Sequence, residues 1–158
     1  MLLSQSLLTA TGAAFVKLTS DHRRLRKVST VLIVEHRDEF FAGLASVLAS
    51  EGLCVKRAAT ADEATQILCE GIPDLILANC ELPDESGWLM ASKWCLTRQP
   101  KRVWLYQAWP TVFDQDWVEL TKVERILYHE GDLLALAEQV RSRISGLFSV
   151  PFSKGVEK

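Results

Sequence analysis

From Thr30 onward, short runs of β-branched and aliphatic residues alternate with stretches in which apolar residues recur at helical spacing. Thr30 to Glu35 (TVLIVE) predicts a first strand. Phe41, Leu44, Ala45 and Leu48 then recur at i, i+3, i+4 and i+7, giving a helix with one apolar face that Gly52 stops. Leu53 to Ala58 is a more polar strand and so belongs near a sheet edge. Thr60-Ala61-Asp62-Glu63 has the spacing of a capping box and opens a second helix, closed by Gly71 and Pro73. Asp74 to Asn79 is a continuous apolar run, as in a central strand covered by crossover helices on both faces. A third helix is predicted from Gly87 to Arg98, ended by Pro100, and Arg102 to Gln107 (RVWLYQ) gives a fourth strand. Pro110 to Leu120 reads as a fourth helix with Phe113, Trp117 and Leu120 on one face, and Glu124 to Tyr128 as a short fifth strand. In the last helix Leu133, Leu136, Ala137, Val140, Ile144 and Leu147 hold one stripe.

This strict alternation predicts an α/β fold: a flavodoxin-like (βα)5 doubly wound parallel sheet in a single domain over residues 30–148. Residues 1–29 form an N-terminal extension, expected to be partly flexible, and 149–158 a C-terminal tail, so no output domain is expected. Folds of this kind place their sites in the crevice beyond the carboxyl ends of the strands. The residues there are Glu35-His36, Asn79-Cys80, Gln107-Ala108 and His129.

Composition narrows the function classes. A chain of 158 residues with 48% hydrophobic and 24% charged residues can bury a core without disulfides or metals. Its formal net charge of -2 gives no general attraction to nucleic acid or to an anionic membrane, so neither is expected as a partner. Cys54, Cys69, Cys80 and Cys95 are widely spaced, without a C-x-x-C pair, and read as buried free thiols of a cytoplasmic protein. Polar residues interrupt the apolar stretches of Met1 to Val16 too soon for a membrane span, and no basic residue precedes Lys17 to make a signal peptide. The basic cluster His22-Arg23-Arg24-Leu25-Arg26-Lys27 reads as a solvated linker, or as a contact for an acidic partner or phosphates.

The segment Asp74-Leu-Ile-Leu-Ala-Asn79-Cys-Glu-Leu-Pro83-Asp-Glu-Ser-Gly87 resembles the central signature of the response-regulator receiver domain (CheY-like), and the resemblance extends from Val31 to about Leu147. It implies that two acidic residues after the first strand bind magnesium and that an aspartate after the third is phosphorylated. A Ser or Thr after the fourth strand and a Lys after the fifth would hold and neutralise the phosphoryl group. At those positions this chain has Glu35 and His36, then Asn79, then Gln107 followed by Ala108, then His129 before Glu130 in place of the usual Pro. The aromatic switch position corresponds to Ile126.

A neutral carboxamide is a far poorer nucleophile than a carboxylate, so Asn79 is not expected to accept a phosphoryl group. Magnesium prefers charged oxygen ligands, and His and Asn at two of the three carboxylate positions remove about two units of negative charge. No cofactor or metal is therefore expected. Glu35, His36 and His129 as zinc ligands form a competing reading, against one in which His36 meets solvent while Glu35, Asn79, Gln107 and His129 hydrogen-bond among themselves. Cys80 beside Asn79 offers a further reading, a nucleophile with His36 or His129 as its base. Trp109, Phe113 and Trp117 lie where the resemblance implies a dimer and partner surface; either they form a stripe of anchors, or Phe113 and Trp117 face the core. The function expected is an atypical, phosphorylation-independent receiver, not an enzyme, acting in two-component or phosphorelay signalling by binding a protein partner or a second copy. The alternative is a small-molecule or metal sensor using the vacated crevice, with Tyr106 and Trp109 nearby.

Overall fold

The computed structural model describes residues 28–98, 100 and 102–148. The basic cluster Arg23 to Lys27, most of the expected N-terminal extension and the tail 149–158 lie outside the described residues. Strands β1 (Thr30–Val34), β2 (Cys54–Ala58), β3 (Leu75–Asn79), β4 (Val103–Gln107) and β5 (Arg125–Tyr128) form one sheet in the order β2-β1-β3-β4-β5. Every pairing is parallel. Helices α1 (Asp38–Ser50), α2 (Ala61–Glu70), α3 (Gly87–Thr97), α4 (Asp114–Thr121) and α5 (Leu133–Leu147) supply the crossovers. This is the expected flavodoxin-like topology, and no described helix is long and apolar enough to cross a membrane.

Side chains alternate across the strands, and the core divides accordingly. Val31, Ile33, Leu75, Leu77, Trp104, Tyr106 and Leu127 pack with Leu44 and Leu48 of α1 and Leu136, Val140 and Ile144 of α5. Leu32, Val34, Ile76, Ala78, Val103 and Leu105 face the other way, onto Ala64 and Leu68 of α2 and Met90, Ala91 and Trp94 of α3. Every residue of β3 and β4 is buried, as the continuous apolar runs require. β2 is an edge strand, as its polarity predicted, with Cys54 and Lys56 exposed, and β5 forms the opposite edge with Arg125 exposed.

Local chemistry sets the connections. Thr60 Oγ1 accepts the Glu63 amide at 3.1 Å, while Glu63 Oε2 reaches back to the Ala59 amide at 2.7 Å, one residue before the cap. Asp84, in the β3–α3 loop, accepts the Ala61 and Asp62 amides at 3.0 Å each and thereby ties that loop to the start of α2. Gly87 is required sterically, since a Cβ there would sit 2.5 Å from the Asn79 carbonyl oxygen. Asp74 precedes β3 instead of joining it, because its carboxylate accepts the Thr30 amide at 2.9 Å.

Two expectations need correction. The fourth helix begins at Asp114, not Pro110, because the Asp114 carboxylate bonds the Thr111 amide and hydroxyl and holds residues 111–114 in a turn. The cysteines are all free, but Cys54 and Cys69 are exposed and only Cys80 is buried. Cys54 lies on the polar edge strand, and Cys69 near the C-terminus of α2.

Candidate functional site

The alternation that splits the core also splits the expected site. Glu35, Asn79 and His129 continue the register of the α1/α5 face, whereas Gln107 continues that of Val103 and Leu105 on the other. The strand ends accordingly carry two polar clusters in place of one, and the expected mutual bonding of Glu35, Asn79, Gln107 and His129 holds only for Glu35 and Asn79.

Glu35 lies one residue past β1 with its side chain fully buried. A buried carboxylate needs compensation on both oxygens. Oε1 accepts the Arg37 amide at 2.9 Å and Arg37 Nε at 3.0 Å, and Oε2 accepts Arg37 Nη2 at 2.9 Å, Tyr106 OH at 2.6 Å and Asn79 Nδ2 at 3.2 Å. Burial pushes the Glu35 pKa up, but the bonds from Arg37 and Tyr106 outweigh it and hold the carboxyl below its ordinary value. Glu35 in turn raises the Arg37 pKa, chiefly through their hydrogen bonds, and the guanidinium lies 3.6 Å from the centroid of the Phe40 ring. The Tyr106 hydroxyl is driven well above its usual range by burial and by Glu35, so it stays a donor. The other end of the Asn79 carboxamide is also used, since Oδ1 accepts the Glu81 amide at 2.9 Å. His36 is part-exposed, with Nδ1 3.4 Å from Glu35 Oε1.

His129 borders this cluster without joining its hydrogen bonds. Its Nδ1 accepts the Gly131 amide at 3.1 Å, and its ring packs edgewise on Phe40 and Tyr106. Burial first, and then Arg37, lower its pKa, so it is a neutral imidazole near pH 7 and no substitute for a lysine ammonium.

On the other face Gln107 Nε2 donates to both oxygens of Asp114, at 3.1 and 3.0 Å. Asp114 also accepts the Thr111 amide at 2.7 Å, Thr111 Oγ1 at 2.6 Å and Tyr128 OH at 2.8 Å. Burial, then the hydrogen bond to Asp114 and its charge, push the Tyr128 pKa up to about 12. These bonds pin the start of α4 to the ends of β4 and β5. Ile126 is half-buried and packs against the core on this same face.

The two alternative chemistries lose their footing. Burial, with Asp114 and Glu81 adding to it, raises the Cys80 pKa far above the thiol range, so Cys80 is not a thiolate nucleophile. Among the described residues no group of three His, Cys, Asp or Glu side chains is arranged to hold a metal ion, so Glu35, His36 and His129 are not brought together as a ligand set. Magnesium fits no better: one carboxylate remains, and a guanidinium, a phenol and a carboxamide already take both of its oxygens.

The third expected feature lies on α4. Trp109, Phe113 and Leu120 are exposed, at 61%, 63% and 67%, so Phe113 does not face the core. Trp117 is 38% exposed, partly covered by stacking on Trp88 at 6.3 Å. Phe113, Asp116, Trp117 and Leu120 line an open groove, and Val112 beside it is also exposed.

Sequence reasoning missed Arg37 and Asp114 and gave Tyr106 only a neighbouring place. For Arg37 the signal was available: a Glu-x-Arg step at a strand end lets the chain turn back and present guanidinium to carboxylate. For Tyr106 it was the period of 2, which puts residue 106, and not 107, on the face of Glu35.

No protein-family model matches the chain, and no curated protein matches it. Solved structures do. A CheY-like response-regulator receiver domain protein from Methanospirillum hungatei JF-1 is 18% identical with a TM-score of 0.65, covering 76% of this chain and 96% of its own. The manganese-bound form of response regulator Rcp1 is 19% identical with a TM-score of 0.67, over 77% of this chain and 96% of its own. The chemotaxis response regulator CheY4 of Vibrio cholerae is 14% identical with a TM-score of 0.64, over 73% of this chain and 98% of its own. The fold is thus that of the CheY-like receiver domains.

Proposed function

We propose that this chain is a receiver-like signalling module of the two-component type that works by protein contact and without aspartyl phosphorylation. One observation carries the reading. The carboxylate left at the strand ends, Glu35, is already neutralised and fully hydrogen-bonded by Arg37, Tyr106 and Asn79. In a receiver that is phosphorylated, a metal ion and a lysine offset the charge at this place. Here a guanidinium does so permanently, and the residue at the acceptor position is a carboxamide whose nitrogen points at Glu35 and whose oxygen is held by a backbone amide. Such a site has one standing state, so information is carried by the surface that state presents. The aromatic face of α4, with Trp109, Phe113 and Trp117, supports that role because large apolar side chains exposed together favour contact with another protein. The crevice residues are bonded to one another, which leaves the sensor reading without a supporting observation.

The test is intact-mass measurement after incubation with acetyl phosphate and magnesium. An unchanged mass is expected; a stoichiometric phosphoryl adduct mapping to residues 79–80 would overturn the proposal. The surface is tested separately: Trp109→Ala, compared with Lys93→Ala, is expected to weaken association with a second copy or a partner while leaving the melting temperature unchanged.

A further inference from the structure

We infer that the apolar face of α4 is the contact between two copies of this chain, packed antiparallel about a two-fold axis on the α3 side of the helix and clear of β5 and α5. α4 turns Asp114, Val118 and Thr121 inward. One flank carries Phe113, Trp117 and Leu120, and because Trp117 stacks on Trp88 of α3, that flank faces α3. The opposite flank is polar: Gln115 lines a cleft there with Arg125 of β5 and Arg143 of α5. The apolar flank opens a groove of about 380 Å³, and the exposed Trp109 and Val112 precede it in the chain.

The size of the face suits a second copy. Trp109, Val112, Phe113, Trp117 and Leu120 together leave roughly 500–600 Å² in water, on about 150–250 Å² for a whole large side chain. Set against its own image the face buries roughly 1,100 Å² of apolar surface, and a polar rim brings that to the roughly 1,200 Å² at which specific interfaces begin. The charges choose the orientation. Asp116 lies in the groove wall, and neither it nor Lys122 at the C-cap makes an ion pair with any described residue. Covering the groove without supplying a cation would leave that carboxylate buried and unpaired, which is costly. Arg102 lies beside Lys122 but is taken up by Glu124 at 3.1 Å, and Arg125 follows at the start of β5, so α4 runs from an acidic turn to a basic end. Parallel copies would set like charge against like. An antiparallel pair brings Lys122 of one copy beside Asp116 of the other and also opposes the two helix dipoles. The two-fold axis makes each such contact occur twice. The inference rests on the reading of this face as a docking surface and adds its occupant.

The test is sedimentation equilibrium of the full chain, with circular dichroism and thermal melting to confirm that each variant is folded. The native protein is expected to dimerise with a dissociation constant of about 1–100 µM that rises with salt. Leu120→Asp, at an exposed position, should weaken the dimer at least about thirtyfold. Asp116→Lys and Lys122→Glu should each weaken it about tenfold, and the double exchange should return it to within about threefold of native. Arg143→Glu, on the opposite flank, should leave it unchanged. A native chain still monomeric at about 500 µM would overturn the inference. So would a double exchange no better than the single ones, or a dimer broken by Arg143→Glu and not by Leu120→Asp. None of these results bears on phosphorylation, and a monomeric chain leaves the face free for a different protein, so the occupant can fail while the proposed function stands.

Discussion

Replacing Arg37 by Ala removes the guanidinium that pairs with a carboxylate that has no solvent exposure. Donors from the Arg37 amide, its Nε and Nη2, Tyr106 OH and Asn79 Nδ2 reach Glu35, and the substitution deletes the two that carry charge. Breaking a buried ion pair from one side costs about 3–5 kcal/mol. The Arg37 side chain is 37% exposed, so water reaches part of its place, and the remaining donors still bind the carboxylate. The expected loss is therefore about 2–3 kcal/mol at pH 7, or roughly 10 °C in melting temperature. Its pH dependence is the sharper test. In the native protein the Glu35 pKa is lowered, so it contributes stability above the unfolded-state pKa that is lost as pH falls through the folded one. Without Arg37, burial dominates and the folded pKa rises, so Glu35 then destabilises above that pKa and the penalty is relieved by protonation. Urea denaturation of both proteins between pH 4 and 8 should show a stability gap widest at neutral pH and shrinking toward pH 4. A gap that is absent, or constant across that range, would refute the claim that Arg37 neutralises a buried carboxylate.

Three further perturbations test the rest of the site. Asn79→Asp replaces a donor 3.2 Å from Glu35 Oε2 by a second carboxylate, and should cost about 2 kcal/mol at pH 7 in urea denaturation, less at pH 4, without making the protein accept phosphoryl groups from acetyl phosphate; a more stable or readily phosphorylated variant would contradict this. Gly87→Ala places a Cβ against the Asn79 carbonyl, 2.5 Å away, and should lower stability by about 1–3 kcal/mol, measured by thermal unfolding. Asp114→Ala leaves Gln107, Thr111 and Tyr128 without their shared acceptor, so about 2–3 kcal/mol should be lost and the Tyr128 pKa, now about 12, should fall, as followed by ultraviolet titration of the phenolate.

The sheet was readable from the chain because its signals are local. Apolar runs such as Leu75 to Asn79 need burial on both faces, and Thr60 with Glu63 marks a helix start wherever the helix later packs. The strand-end positions were readable too, since a parallel sheet aligns the carboxyl ends of its strands. Which of them touch was not. Gln107 shares with Glu35 a position at a strand end, yet alternation sends it to the opposite face, where Asp114 holds it. Arg37 matches no residue of the receiver pattern, although its spacing from Glu35 suits a two-point contact. The exposure of Phe113 and Trp117 depends on where α4 begins, and that is set by the Asp114 carboxylate, which bonds Thr111 and is itself held by Gln107 and Tyr128, contacts that no periodicity reveals.

The two margins of the sheet bear on how the molecule meets others. A strand at the margin presents unpaired amides and carbonyls on which a foreign chain can align, and charged side chains are a common means of discouraging it. β2 carries Lys56 and Arg57 at its centre, with Arg57 folded over to bond Glu35 O, His36 O and Asp38, and β5 carries Arg125 beside the Trp104 ring. Edge-to-edge alignment of two copies would bring these bases together and strip them of water. Fibrillar or strand-swapped assembly is thereby disfavoured at both margins, and encounters are steered to the helical flanks, where side chains rather than main-chain ladders decide which partner fits.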